Sequence, residues 1–138
     1  PMQSEPDLTA AFSGWRAACG GGLALPVNDD REGGMHYVAW EPGQPLVKNP
    51  FGGRNPPPGR PEVLPGVIVA PCLAAHPAGW RLGYGRGAFD RWIAAHSSPR
   101  PACVAVAFEA TIVQDDFSCA LDARFDWIVT DARTIRTQ

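Results

Sequence analysis

The chain has 138 residues, 45% of them hydrophobic and 19% charged, and carries a net charge of −2. That is enough chain for one domain with a real core, in a composition ordinary for a globular protein. The near-neutral balance supplies no basic field that would draw nucleic acid or a membrane surface, no apolar run is long enough to span a bilayer, and no secretory leader pattern opens the sequence.

In chain order, Asp7 is a candidate N-cap. Leu8, Ala11, Phe12, Trp15, Ala18 and Cys19 follow at helical spacing and read as an apolar stripe packed into a core. Gly20, Gly21 and Gly22 end that helix. Residues 23–27 read as a short buried strand. Asn28, Asp29, Asp30, Gly33 and Gly34 mark a turn. Residues 35–40 read as a second strand with Met35, Tyr37 and Ala39 on one face. From residue 41 to 66 the chain is rich in Pro and Gly and reads as a long surface loop of the kind that often carries function. Val67, Ile68, Val69 and Ala70 form a continuous apolar run suited to a parallel sheet. Residues 72–80 read as loop, 88–96 as a helix with Phe89, Trp92 and Ile93 inward, 103–108 as a strand, and 126–130 as the last strand. Strands alternating with helices predict one α/β domain over residues 1–138, a three-layer α/β/α arrangement with a mostly parallel sheet.

The four cysteines, Cys19, Cys72, Cys103 and Cys119, are widely spaced and form no C-x-x-C pair. They read as buried free thiols of a cytoplasmic protein. His36, His76 and His96 show no metal-ligand spacing.

The most informative stretch is Arg81-Leu82-Gly83-Tyr84-Gly85-Arg86-Gly87-Ala88-Phe89-Asp90-Arg91. Alternating glycines let a backbone approach a ligand closely, and consecutive N–H groups in such a loop make an anion site, strengthened if a helix starts there. Arg81, Arg86 and Arg91 supply positive charge, and Asp90 is placed to hold Mg²⁺ beside a phosphate. The competing reading is a plain glycine turn between strand and helix. A dinucleotide fingerprint fits less well, because no strand is expected immediately before the glycines.

This stretch resembles the R-L-G-x-G-x-G-Y-Y-D-R signature of the 5-formyltetrahydrofolate cyclo-ligases, with Ala88 and Phe89 at the two tyrosines. The resemblance extends along nearly the whole chain, through Glu5-Pro6-Asp7, residues 23–26, Met35 and Trp40, Phe51-Gly52 with Pro56, residues 71–81, 104–110 and 121–131. It departs from the family at Asn55, Ala75-His76, Ala88 and Leu121. In the family a further N-terminal helical segment supplies a Lys and an Arg to the nucleotide phosphates. Nothing here matches it, so a truncated chain is expected, with a naturally short relative as the alternative.

The resemblance implies ATP-dependent conversion of 5-formyltetrahydrofolate to 5,10-methenyltetrahydrofolate with release of ADP and phosphate, by a monomer needing ATP and Mg²⁺ and neither nucleic acid nor membrane. It implies that Arg81 and Arg86 act in catalysis. Arg81, Gly83, Tyr84, Gly85, Arg86, Gly87, Ala88 and Asp90 would bind ATP, Asp90 would bind Mg²⁺, and Glu5, Met35, Phe51 and Phe89 would bind the folate. Two alternatives stay open: a diverged folate- or nucleotide-binding module without turnover, and an α/β nucleotide-binding protein with another substrate.

Overall fold

The computed structural model describes residues 5–28, 34–50 and 52–138. The described residues gather into two compact units: one within residues 7–65, and one of residues 5–6 with 66–138.

In the first unit, helix α1 spans Thr9–Cys19. Asp7 does not cap it by the expected route. Leu8 holds the N-cap position, and the Asp7 carboxylate instead accepts from the Thr9 N–H and hydroxyl, a local turn that competes with capping. Gly20 ends the helix in the left-handed conformation, as glycine there is suited to do. The apolar stripe, however, is not core: no residue of α1 is buried, and Trp15 is 46% exposed. Periodicity identifies an apolar face but not whether anything covers it. Strands β1 (Leu23–Asn28) and β2 (Met35–Trp40) pair antiparallel, with Leu23 opposite Trp40. β1 is half-buried throughout rather than buried, and in β2 the adjacent residues Tyr37 and Val38 are buried, so neither face is simply the inner one. The turn expected between the two strands falls largely outside the described residues. The Pro/Gly-rich segment is also more ordered than a loop. It forms a small ribbon of β3 (Val47–Lys48) and β4 (Arg54–Asn55), and its end runs alongside β2 through Ala39 N–H to Pro61 O and Val63 N–H to Tyr37 O.

The second unit is built on a four-stranded sheet of β5 (Val67–Pro71), β8 (Ala102–Val106), β9 (Trp127–Val129) and β10 (Thr134–Arg136), in the order β10-β9-β8-β5. β5–β8 and β8–β9 are parallel and β10 is antiparallel, so the sheet is mixed, and β9 is not the last strand. Ile68, Ala70, Cys103, Ala105 and Ile128 on these strands are almost wholly buried. Each large aliphatic side chain so placed contributes about 1.5–3 kcal/mol relative to exposure.

Between β5 and β8 the chain makes an antiparallel hairpin of β6 (Ala74–His76) and β7 (Trp80–Leu82) and then helix α2 (Ala88–Ala95). Trp92 and Ile93 are buried and Phe89 half-buried, as the periodicity predicts. The connection from β8 to β9 holds a 3-10 turn at Glu109–Thr111 and otherwise irregular chain, not a helix. The fold is therefore mixed α/β but strand-rich. Among the described residues α2 is the one α-helix of this unit, which carries the expected three layers only in part.

Candidate active site

The glycine loop lies wholly in the second unit, and its start differs from expectation. β7 runs directly into it, so residues 72–80 are mostly hairpin rather than loop. That hairpin is separate from the parallel sheet, which keeps the arrangement distinct from a dinucleotide fingerprint. At the other end α2 begins: Gly87 is its N-cap in the left-handed region, and Gly85 also has a positive φ of 79°. Residues with a Cβ are strained there. No backbone carbonyl among the described residues accepts the N–H groups of Gly83, Tyr84, Gly85 or Gly87. Tyr84, Gly85 and Arg86 are exposed, Ala88 is half-buried, and open space surrounds the position a Cβ would take at Gly85. These are the properties of a loop able to cradle an anion at a helix N-terminus.

The charged residues at its two ends meet. Arg81 Nη2 lies 3.3 Å from Asp90 Oδ2, with the side chains 6% and 17% exposed. The Arg81 guanidinium lies over the rings of Phe89 and Phe125, at 4.8 and 5.2 Å from their centroids. Asp90 Oδ1 accepts the Ala123 N–H at 3.1 Å. Asp90 also stands in the first turn of α2, where a carboxylate is favoured by the helix dipole.

A carboxylate has about four lone-pair sites, so two donors leave Asp90 able to take a cation as well. The described residues contain no group of three or more His, Cys, Asp or Glu that could hold a metal by themselves. The residues therefore fit Mg²⁺ only in the manner usual for nucleotide sites, one protein carboxylate completed by phosphate oxygens and water.

Glu5 is half-buried and near Cys72, as Arg81 is. Burial pushes the Cys72 thiol up to about 11, with Arg81 pulling it down and Glu5 adding to the rise. Met35, half-buried, opens β2 in the first unit, and Phe51 lies outside the described residues. Arg81, Phe89 and Asp90 are thus brought together with the glycine loop, and Glu5 joins the same unit, whereas Met35 does not.

Sequence reasoning passed over Phe125 and Ala123, which lie more than thirty residues from the loop with no spacing to flag them. His76 accepts the Ala78 N–H at Nδ1, and its Nε2 lies 3.1 Å from Gln114 O. The cysteine reading needs correcting too. All four thiols are free and Cys72 and Cys103 are buried, but Cys19 and Cys119 are exposed.

A cavity of about 570 Å³ adjoins the loop through Asp90 and is lined also by Arg100, Asp122, Arg124, Asp126 and Thr137. Its charges are largely spent on the fold. Arg100 bonds both oxygens of Asp126, Asp126 accepts the Cys103 N–H, and Arg124 Nε donates to Ala78 O.

A strand, a glycine-rich loop and a helix beside a mixed sheet define an α/β protein. The chain belongs to the 5-formyltetrahydrofolate cyclo-ligase family, whose model matches residues 12–131, and by that membership it is an enzyme of the cyclo-ligase class. Its fold is similar to that of 5,10-methenyltetrahydrofolate synthetase from Aquifex aeolicus: TM-score 0.73 and 23% identity, over 100% of this chain and 69% of the other. It is also similar to the 5,10-methenyltetrahydrofolate synthetase from Mycoplasma pneumoniae, with TM-score 0.68 and 14% identity, over 95% of this chain and 69% of that one. No curated protein matches the sequence. No helix among the described residues is long and apolar enough to cross a membrane.

Proposed function

We propose that the chain converts 5-formyltetrahydrofolate and ATP to 5,10-methenyltetrahydrofolate, ADP and phosphate. The observation that carries this reading is the loop from Gly83 to Gly87, where no backbone carbonyl among the described residues accepts the N–H groups of Gly83, Tyr84, Gly85 or Gly87, in a chain of the cyclo-ligase family. The formyl oxygen attacks the γ-phosphorus and ADP departs. N10 of the folate then attacks the activated formyl carbon, and phosphate leaves. Such chemistry asks a protein mainly for positioning and charge stabilisation, not for a nucleophile.

In this reading Gly83, Tyr84, Gly85, Gly87 and Ala88 present the backbone to the phosphates, and Arg86 offsets charge that develops during transfer. Mg²⁺, when bound, supplies charge neutralisation between phosphate oxygens, and Asp90 is the residue that would hold it. Glu5, Met35, Phe51 and Phe89 bind the folate. The two units act as one cyclo-ligase domain, as a cytoplasmic monomer on small-molecule substrates alone.

The test is turnover with 5-formyltetrahydrofolate and Mg-ATP, followed by the near-ultraviolet absorbance of the methenyl product. Product formation is expected. ATP and folate binding without product would instead support a non-catalytic binding module. His76 favours that second reading: it stands at one of the departures from the family, and its ring nitrogens are engaged by Ala78 and Gln114.

A further inference from the structure

We infer that Arg81 is a positioning residue which braces the glycine loop through Asp90, and that Phe125 and Gly83 are parts of the same brace. The inference rests on the phosphate-loop reading above but assigns Arg81 a role other than phosphate ligand.

Three observations converge on it. The Arg81 side chain is only 6% exposed, with its guanidinium held over Phe89 and Phe125 at once. A planar cation between two ring faces is gripped by its shape as well as its charge. Its contact with Asp90 joins β7 to the first turn of α2, so the ion pair closes the loop at its base. Ala123 N–H fixes the other oxygen of Asp90, which leaves that carboxylate little freedom to turn.

Gly83 supplies the third observation. A Cβ there would lie 2.8 Å from Arg81 Nη1. A flexible arginine on a surface would swing aside, but this one is walled by two rings. The first glycine of the loop therefore serves to let the guanidinium pass, whereas Gly85 faces open space. Arg81 Nε is buried with no hydrogen-bond partner among the described residues, a cost that fits a side chain retained for the geometry it imposes.

The test compares the wild type with R81M, R81K and F125L in two measurements. Amide exchange is read by NMR in the ligand-free protein, and ATP affinity by calorimetry with and without Mg²⁺. The brace predicts that R81M speeds exchange at the Arg91 and Ala123 amides about tenfold, leaves the β8 amides unchanged, and weakens ATP by a similar factor. R81K should not rescue either, because an ammonium lacks the planar faces that the rings hold. F125L should move both measurements the same way without altering any charge.

If R81M weakens ATP while ligand-free exchange stays as in the wild type, or if R81K restores affinity, Arg81 touches phosphate directly and the brace is wrong. If the wild type binds no ATP, the phosphate-loop reading fails. The exchange data then still decide whether Arg81 orders the loop.

Discussion

The two units reach order by different means. In the second, parallel strands from distant parts of the sequence stack apolar residues against one another, and Ile68, Cys103, Phe125 and Ile128 are shut from solvent. In the first, Tyr37 and Val38 are the buried hydrophobic residues among those described, and α1 buries none. Its β1–β2 ribbon is local in sequence and half-buried, and a two-stranded ribbon alone is only marginally stable. The glycine loop belongs to the well-packed unit. Its tip is exposed while Arg81 and Asp90 meet at its base.

The contrast is broken most sharply by core truncation. Ile128→Ala should cost about 2–5 kcal/mol, because the cavity it leaves is closed on all sides. Trp15→Ala should cost less than about 1 kcal/mol despite removing a larger side chain, as exposed sites usually do. Urea denaturation of the two variants checks this, and equal losses would mean that the first unit has a core comparable to the second.

Within the second unit, Gly85→Val should abolish ATP binding and cost about 1–3 kcal/mol of stability from its left-handed backbone. Asp90→Ala should remove the Mg²⁺ dependence of ATP binding while the sheet stays folded. Calorimetry together with circular dichroism reads both, and unchanged affinity in either variant would leave the loop a simple turn.

Thiol chemistry sharpens the comparison further. At pH 8, Cys19 and Cys119 should alkylate quickly and Cys72 and Cys103 only after unfolding, since both are buried and burial raises both thiols. For Cys72 the folded value lies above the ordinary 9.0, so its neutral thiol favours the fold below that pH. The contribution is lost as the pH rises toward about 11.

The smallest effect is expected at Glu109, where hydrogen bonds from Thr130 and then Arg133 hold the carboxyl below its ordinary 4.5. A lowered folded value stabilises above 4.5 and is lost as the pH falls through it. Glu109→Gln should therefore be slightly less stable than the wild type near neutrality, with the gap closing in acid. A gap that persists in acid would place the effect elsewhere.

Local rules made much of this legible. Glycine at a helix end, the apolar run of β5, the inward stripe of α2 and the strand at Met35–Trp40 all follow from short-range sterics and periodicity. Errors arose where the answer depended on distant chain. The hairpin of β6 and β7 is too short to show a period, β10 needed β9 beside it, and the stripe of α1 said nothing about what covers it.

The sequence by itself determined the family and the position of the glycine loop, because both are written in consecutive residues. Only the tertiary structure decided which side chains that loop leans on. Phe125 and Ala123 reach Arg81 and Asp90 across more than thirty residues of chain. Contacts of that separation are fixed by how the sheet and α2 pack, and no local pattern in the sequence encodes them.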